Sequence, residues 1–408
     1  MIKNLDKKIK GYALKNAIHY EGRANPGAVI SALFNEGLEK KDVKEVMPKI
    51  NETIKEISKL SLEEQKKEYE KLKKILSERE SREGLPELPN AEKGVVMRFR
   101  PAPSGPLHIG HIVSNVYNSL YAKKYGGKFY IIFDDTDPET TLKESYNEIK
   151  KGCDWMFGNV TEYLNASDRM DIYYKYANKL LQAGNAYVCT CSSEKFKEIA
   201  MKKQECACRK KSVEENIQDW EKMLDKNGFK EGDAVLRFKT PEEEQGMKNP
   251  NPAMRDFPLA RINETSHALQ KKKYRVWPLM NLSVPADDIE LKMTHVIRGK
   301  DHKDNAKRQK MIYKVLGLDK KFPWTFFIGR VKFTDMELSK RKIVQATKEG
   351  KYSGWDDERL ATISAIKKRG YKPEAFQKFA EERGLTEVDK VISTADFFKA
   401  IEIYGKTE

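Results

Sequence analysis

Along the first 80 or so residues the apolar positions recur at helical spacing, with almost no strand signal. Ser61-Leu-Glu-Glu64 reads as a capping box, in which hydroxyl and carboxylate satisfy free backbone N–H groups at a helix start. After it Leu62, Tyr69, Leu72 and Leu76 share one stripe, and Glu63/Lys67 and Glu70/Lys74 are i,i+4 pairs. This predicts an amphipathic helix with a wet charged face. Residues 80–94 carry Pro86, Pro89, Gly84 and Gly94 without periodicity and read as a linker. At Val95 the pattern changes to short continuous apolar runs. Val95–Arg100 predicts a strand, residues 109–125 a helix and Lys128–Phe133 a second strand ending in acidic residues. Strand, turn, helix and strand in so few residues is a βαβ unit of a parallel sheet covered on both faces. Helices are expected near 141–157 and 169–183. Residues 186–275 break the alternation with a cysteine-rich patch, a lysine-rich helical stretch and short strands. It resumes with a strand at Thr294–Arg298 and a helix at Asn305–Leu316. The fold class is therefore α/β. The expected domains are a helical region and linker (1–94), a sheet in two halves (95–185 and 276–335), an insertion (186–275) and a helical end (336–408).

Composition narrows the class. The 408 residues are 39% apolar and 10% aromatic, enough to bury sizeable cores, so a disordered chain is excluded. No run of 18 apolar residues exists to span a membrane, and Met1-Ile-Lys-Asn-Leu-Asp-Lys-Lys lacks the apolar stretch of a secretory signal. Five cysteines make no disulfide framework, and a reducing cytoplasm is expected. Lys+Arg exceeds Asp+Glu by 77 to 62, a net charge of +15. That suits a polyanionic partner, although a lysine-rich proteome gives the same excess.

The most informative stretch, Arg98-Phe-Arg-Pro-Ala-Pro-Ser-Gly-Pro-Leu-His-Ile-Gly-His111, lies where the first strand turns into the first helix. In open α/β sheets this carboxyl-end crevice takes ligands, and a helix N-terminus offers free N–H groups to phosphate. His108 and His111 could donate to a phosphoryl group as its charge develops, and Gly110 between them lets a flat base approach the backbone. Core histidines or an H-x-x-H metal pair are the competing readings. Cys189-Thr-Cys191 and Cys206-Ala-Cys208 place four thiols in 20 residues, with lysines between the pairs. Four sulfurs can close a tetrahedral zinc site, but C-x-C is tighter than the usual C-x₂-C. Four ordinary reduced cysteines is the other reading. Cys153 lies in a predicted helix as a core residue.

Pro103-Ser-Gly-Pro-Leu-His-Ile-Gly-His111 resembles the HIGH motif of class I aminoacyl-tRNA synthetases. Glu337-Leu-Ser-Lys-Arg341 is similar to their KMSKS motif, in the form used by glutamyl and glutaminyl members. Phe133-Asp-Asp-Thr-Asp-Pro138, Thr294-His-Val-Ile-Arg-Gly-Lys-Asp-His302 and Gly354-Trp-Asp-Asp-Glu-Arg359 also match, in the right order. Tyr12-Ala-Leu-Lys-Asn-Ala17 and Gly22-Arg-Ala-Asn-Pro-Gly27 resemble the archaeal-type glutamyl-tRNA synthetases. The likeness covers nearly the whole chain.

The resemblance implies a Rossmann-like parallel sheet with an inserted acceptor-binding domain and helical N- and C-terminal regions. It implies ATP-dependent activation of L-glutamate and transfer to the 3′ end of tRNA(Glu), with tRNA(Gln) an open second partner and no membrane. His108, His111 and Lys340 would be catalytic, and Pro103, Ser104, Gly105, Gly110, Ser339 and Arg341 would join them around ATP and its Mg²⁺. Arg98 would meet the side-chain carboxylate, Asp134 the α-ammonium group and Arg298 the α-carboxylate. A structural Zn²⁺ on Cys189, Cys191, Cys206 and Cys208 is implied by the same insertion in related enzymes. Three positions depart from the pattern: Glu337 replaces a lysine, Ile132 stands where an arginine is common, and Met280 where bacterial relatives have tyrosine. Archaeal-type relatives continue into anticodon-gripping β-barrels, which are expected to be missing here. A separately encoded polypeptide, a truncation or an enzyme that works without them would each account for that. The alternatives are a glutaminyl-tRNA synthetase, a tRNA-modifying paralog such as glutamyl-Q tRNA(Asp) synthetase, and a non-catalytic tRNA-binding relative.

Overall fold

The computed structural model describes residues 2–20, 22–77, 84–335, 343, 345–347 and 349–405. Two compact units divide the chain, Met1–Arg82 and Glu83–Glu408. In the first, helices α1 (Leu5–His19), α2 (Pro26–Asn35), α3 (Val43–Ile57) and α4 (Leu62–Leu72) close on a core that includes Ile9, Leu14, Val29, Leu33 and Ile50. The capping box forms: Ser61 N–H donates to Glu64 Oε2 at 2.7 Å and Glu64 N–H to Ser61 Oγ at 3.3 Å. The stripe differs from expectation at one end. Leu62 is exposed, and Gln65 is buried instead, donating to the carbonyls of Ile57 and Leu60 where α3 turns into α4. Glu70 pairs with Lys73, one position short of the expected Lys74.

The second unit opens on residues expected as linker that are in fact packed. Leu88 is buried, Tyr121 Oη donates to the Pro86 carbonyl at 2.9 Å, and His295 Nε2 lies 2.8 Å from the Pro89 carbonyl. The two prolines hold an extended segment whose carbonyls accept from side chains beneath it. The boundary thus falls near residue 83.

Next come β1 (Val96–Phe99), α5 (Ile109–Lys124), β2 (Lys128–Phe133), α6 (Lys143–Phe157), β3 (Glu162–Asn165) and α7 (Met170–Gln182). The strands pair in parallel in the order β1-β2-β3, with Arg98 beside Tyr130 and Phe99 beside Ile131. Gly127 lets β2 start against β1, since a Cβ there would lie 2.2 Å from the Val95 carbonyl oxygen. Cys153 is buried on α6, as expected.

The insertion contributes β4 (Ala186–Cys189), α8 (Ser193–Met201), α9 (Val213–Leu224), β5 (Val235–Phe238), β6 (Pro258–Ile262) and β7 (Val276–Pro278). Its strands form an antiparallel sheet, β4-β5-β6-β7. Because β7 closes this sheet, the insertion runs a few residues past the expected 275. The chain then returns through α10 (Met280–Glu290), β8 (His295–Gly299), α11 (Lys303–Val315) and β9 (Trp324–Ile328). β8 and β9 are parallel, and Thr294 joins them to β1: its N–H donates to the Val96 carbonyl at 3.1 Å and its Oγ1 accepts from Val96 N–H at 2.8 Å. β10 (Val331–Phe333), α12 (Ile363–Lys368), α13 (Pro373–Arg383), β11 (Lys390–Ile392) and α14 (Thr394–Glu402) complete the described elements. Among the described residues no helix is long and apolar enough to cross a membrane.

Candidate active site

The β1–α5 turn and the β8 end open onto a shared cavity of about 450 Å³. Of the residues singled out from sequence, Arg98, His108, Gly110, His111, Asp134 and Arg298 line it. Pro103, Ser104 and Gly105 form the turn that leads into α5, where Gly105 adopts φ 140°. Ser339, Lys340 and Arg341, and Glu337 with them, lie outside the described residues.

The start of α5 fixes the two imidazoles. His108 is the N-cap, its Nδ1 accepting from Gly110 N–H at 3.1 Å, while His111 Nδ1 accepts from His108 N–H at 3.2 Å. This is a capping box built from rings, whose centroids lie 3.9 Å apart. An Nδ1 that accepts a backbone N–H carries no proton, so a neutral ring bears its proton on Nε2. Each histidine therefore carries an Nε2–H donor at a helix N-terminus, where the backbone dipole also favours anions.

Beside them lies a buried network of guanidinium and carboxylate groups. Arg98 donates from Nε and Nη2 to the two oxygens of Asp288, at 2.5 and 2.8 Å. Arg100 pairs with Asp287 and stands 3.2 Å from Asp134. Asp287 also accepts from Arg169 Nε at 2.6 Å and Tyr173 Oη at 2.7 Å. Burial works against the Arg98 and Arg100 cations, but the carboxylates more than reverse this and hold both pKa values above the ordinary. Among the described residues Arg298 has no such partner. Its Nη1 donates to Gln309 Oε1 at 2.9 Å and its Nε is buried unpaired. Burial, and then the Arg98 charge, pull its pKa down to about 10. His302, on the cavity wall, is likewise pushed down by burial and, against the opposing pull of Asp301, by neighbouring arginines.

Sequence reading missed Arg100, Arg169, Tyr173, Asp287 and Asp288. The available signal was Asp287-Asp288 inside an otherwise apolar helical stretch, with Arg98 and Arg100 on the same face of a strand. Ile132 is fully buried, and continuing the β1–β2 register sets Arg100 beside it.

The model of tRNA synthetases class I (E and Q), catalytic domain, matches residues 94–403. The chain belongs to this family. The glutamate–tRNA ligase of Methanocaldococcus jannaschii is 44% identical over 395 residues, covering 97% of this chain and 70% of that protein. The glutamate–tRNA ligase of Thermococcus kodakarensis is 43% identical over 396 residues, covering 94% and 67%. The solved glutamate tRNA ligase of Elizabethkingia meningosepticum, in complex with its amino acid, shares the fold at a TM-score of 0.53 and 21% identity, over 76% of this chain and 68% of that one. Within the class I synthetase fold, the parallel strands carry the cavity and the antiparallel sheet is the insertion.

In that insertion, Cys189 at the end of β4 and Cys191, Cys206 and Cys208 beyond it bring their sulfurs within 4.8 Å of one another. Cys189 and Cys206 are 3.9 Å apart, close to the roughly 3.8 Å edge of a tetrahedron with Zn–S of about 2.3 Å. The tight C-x-C spacing therefore does not keep the thiols apart. Hydrogen bonding from Cys189 holds the Cys206 thiol down at about 5 against the opposing effect of burial. Cys208 is also lowered, its Sγ accepting from Thr190 N–H at 3.5 Å against burial. The donor set and spacing fit a structural zinc.

Proposed function

We propose that this synthetase is a glutamate–tRNA ligase, and that the charge of its buried network selects glutamate. Arg98, Arg100, Arg169 and Arg298 face Asp134, Asp287 and Asp288, so four guanidiniums meet three carboxylates. Among the described residues one positive charge is left over, and it belongs to Arg298, which has no carboxylate partner among them. Glutamate carries one net negative charge at neutral pH and glutamine none. Most of this network is buried, so an uncompensated charge is costly there and the amino acid that balances it is favoured. The names of the archaeal relatives support the same reading.

In the reaction, the α-carboxylate of glutamate attacks the α-phosphorus of ATP and pyrophosphate leaves; the terminal adenosine hydroxyl of the tRNA then attacks the acyl carbon of the adenylate, the mixed anhydride breaks and AMP leaves. Such chemistry needs positioning and charge stabilisation more than a protein nucleophile. His108 and His111 supply Nε2–H donors for the phosphoryl oxygens, Arg298 holds a substrate carboxylate, and Asp134 receives its ammonium group. Lys340 is assigned to the triphosphate by its motif. ATP enters as its magnesium complex. The four cysteines would hold zinc as a staple for the insertion, away from the reacting atoms.

The test is aminoacylation of total tRNA with labelled glutamate and labelled glutamine. Only glutamate should be incorporated. Arg298→Ala should raise the glutamate KM about tenfold or more while leaving that of ATP nearly unchanged, as loss of a charge-assisted contact would. Preferential charging of glutamine would overturn the proposal.

A further inference from the structure

Arg100 follows β1, and its side chain is only 4% exposed although it stands at the cavity wall. Its fork is spread over three partners. Nη1 pairs with Asp287, Nη2 donates to Ser283 Oγ at 3.0 Å, and Nη2 is 3.2 Å from Asp134 Oδ1. Two of these partners sit behind it on α10, and Asp287 is itself gripped by Arg169 and Tyr173 from the α7 side. The guanidinium is therefore fixed from the rear, and the partner on its cavity side is Asp134.

Asp134 begins the acidic run after β2, and its own N–H donates to the Pro101 carbonyl at 2.8 Å. That bond places the backbone and leaves the side-chain torsions free. A lone carboxylate at a cavity wall would turn toward water or toward the nearest cation. Arg100 Nη2 approaches Oδ1 at ion-pair distance and, among the described residues, is the cation nearest this carboxylate. Asp287 lies against Arg100 and cancels much of its charge, so the guanidinium orients Asp134 without overwhelming an incoming cation.

We propose that Arg100 is a positioning residue which locks Asp134 as the receptor for the substrate's α-ammonium group, so that the pocket tells an amino acid from the same dicarboxylic acid without its amine. The inference rests on the reading of the cavity as the glutamate site. It adds a residue that no motif pointed to, and a readout that a loss of packing would not mimic.

Glutarate has both carboxylates of glutamate and no ammonium, and it serves as a competitive inhibitor in the aminoacylation assay. Arg100→Ala should raise the glutamate KM about tenfold, with the KM of ATP and the Ki of glutarate held within about twofold. Asp134→Asn should do the same. In the Asp134→Asn background, Arg100→Ala should add less than about twofold, because the two residues act as one unit. Fully multiplicative effects, or a glutarate Ki that rises in step with the glutamate KM, would overturn the proposal. If Arg100→Ala gives no cooperative melt, Arg100→Lys enters the same cycle. It keeps the charge but not the fork, so the glutamate KM should rise by a smaller factor, and multiplicative behaviour with Asp134→Asn overturns the proposal equally. Failure of the underlying reading looks different: the unaltered enzyme would not charge tRNA with glutamate, or glutarate would not compete.

Discussion

The thiol cluster and the guanidinium–carboxylate network, two of the clusters of ionisable side chains in the catalytic unit, are built on opposite plans. The thiol cluster is local, with four donors in 20 residues that face one another and leave space for one small ion. The guanidinium–carboxylate network is long-range: Arg98 and Asp288 are 190 residues apart in sequence, and the network borders an open cavity with one cation unmatched among the described residues. A closed cluster satisfies itself and holds chain segments together. An open one, balanced except at its rim, is completed only by a substrate. Which kind a cluster is follows from whether its charges and donors cancel internally.

The contrast is sharpest where one cluster can be emptied without touching the other. Chelation, or Cys191→Ser, should loosen the insertion while the parallel sheet stays folded. On the order of 10 kcal/mol of structural zinc binding can be folding free energy, so the loss should be local and large. Hydrogen exchange should show 186–278 deprotected first, and metal analysis of the native enzyme about one zinc per chain. Simultaneous melting of both regions, or native protein free of zinc, would break the comparison.

Next in size is Asp288→Asn, which leaves the buried Arg98 with a neutral partner. Stability should fall by about 3 kcal/mol in denaturant unfolding, since removing one member strands the other charge. A change within error would mean that water reaches this pair and that the network is not dry.

His111→Ala should reduce ATP–pyrophosphate exchange, measured with tRNA present, about 10²-fold, as for loss of a donor to developing charge, with little change in glutamate affinity. It also removes one half of the α5 capping box. A loss of about 1 kcal/mol of stability should therefore accompany the loss of rate.

The smallest effect concerns a closed cluster in the helical N-terminal unit. Glu36 accepts from Lys8, Tyr12 and the Ser77 N–H, and these bonds outweigh burial and hold its pKa down at about 2. A carboxyl whose folded pKa is depressed contributes stability above its unfolded value, and that stability is lost as pH falls toward the folded one. The unit should weaken between about pH 5 and pH 2. Glu36→Gln should flatten that acid limb, as followed by circular dichroism of the intact chain.

The same difference in plan governs what could be read from sequence. His108, His111 and the four cysteines lie close together along the chain, so spacing alone exposed their chemistry. The βαβ unit was legible because each strand is a short apolar run bounded by Pro or Gly. The α10 carboxylates were not, because their arginines enter from β1 and α7, and one sequence contains no record of contacts at that range. The linker was misjudged for a related reason. Pro86 and Pro89 signal an extended backbone, but not that Tyr121 and His295 wait beneath to bond its carbonyls. At Leu62 an apolar residue continued the stripe by spacing, while burial went to Gln65, whose amide closes the turn between two helices.

Helix α5 joins two ends of the cavity. Its first turn is capped by the two imidazoles, and Asn118, two turns further on, exchanges a pair of hydrogen bonds with the backbone of Ile297 at 3.0 and 3.1 Å. Ile297 directly precedes Arg298. The two imidazoles and the strand that carries Arg298 are thus mounted on one rod about 10 Å long between those points. Protonating Nδ1 of either ring would break a cap and disturb that rod at its start. On the assignment proposed above, ATP and glutamate binding are expected to be coupled, and any such coupling must be equal in both directions.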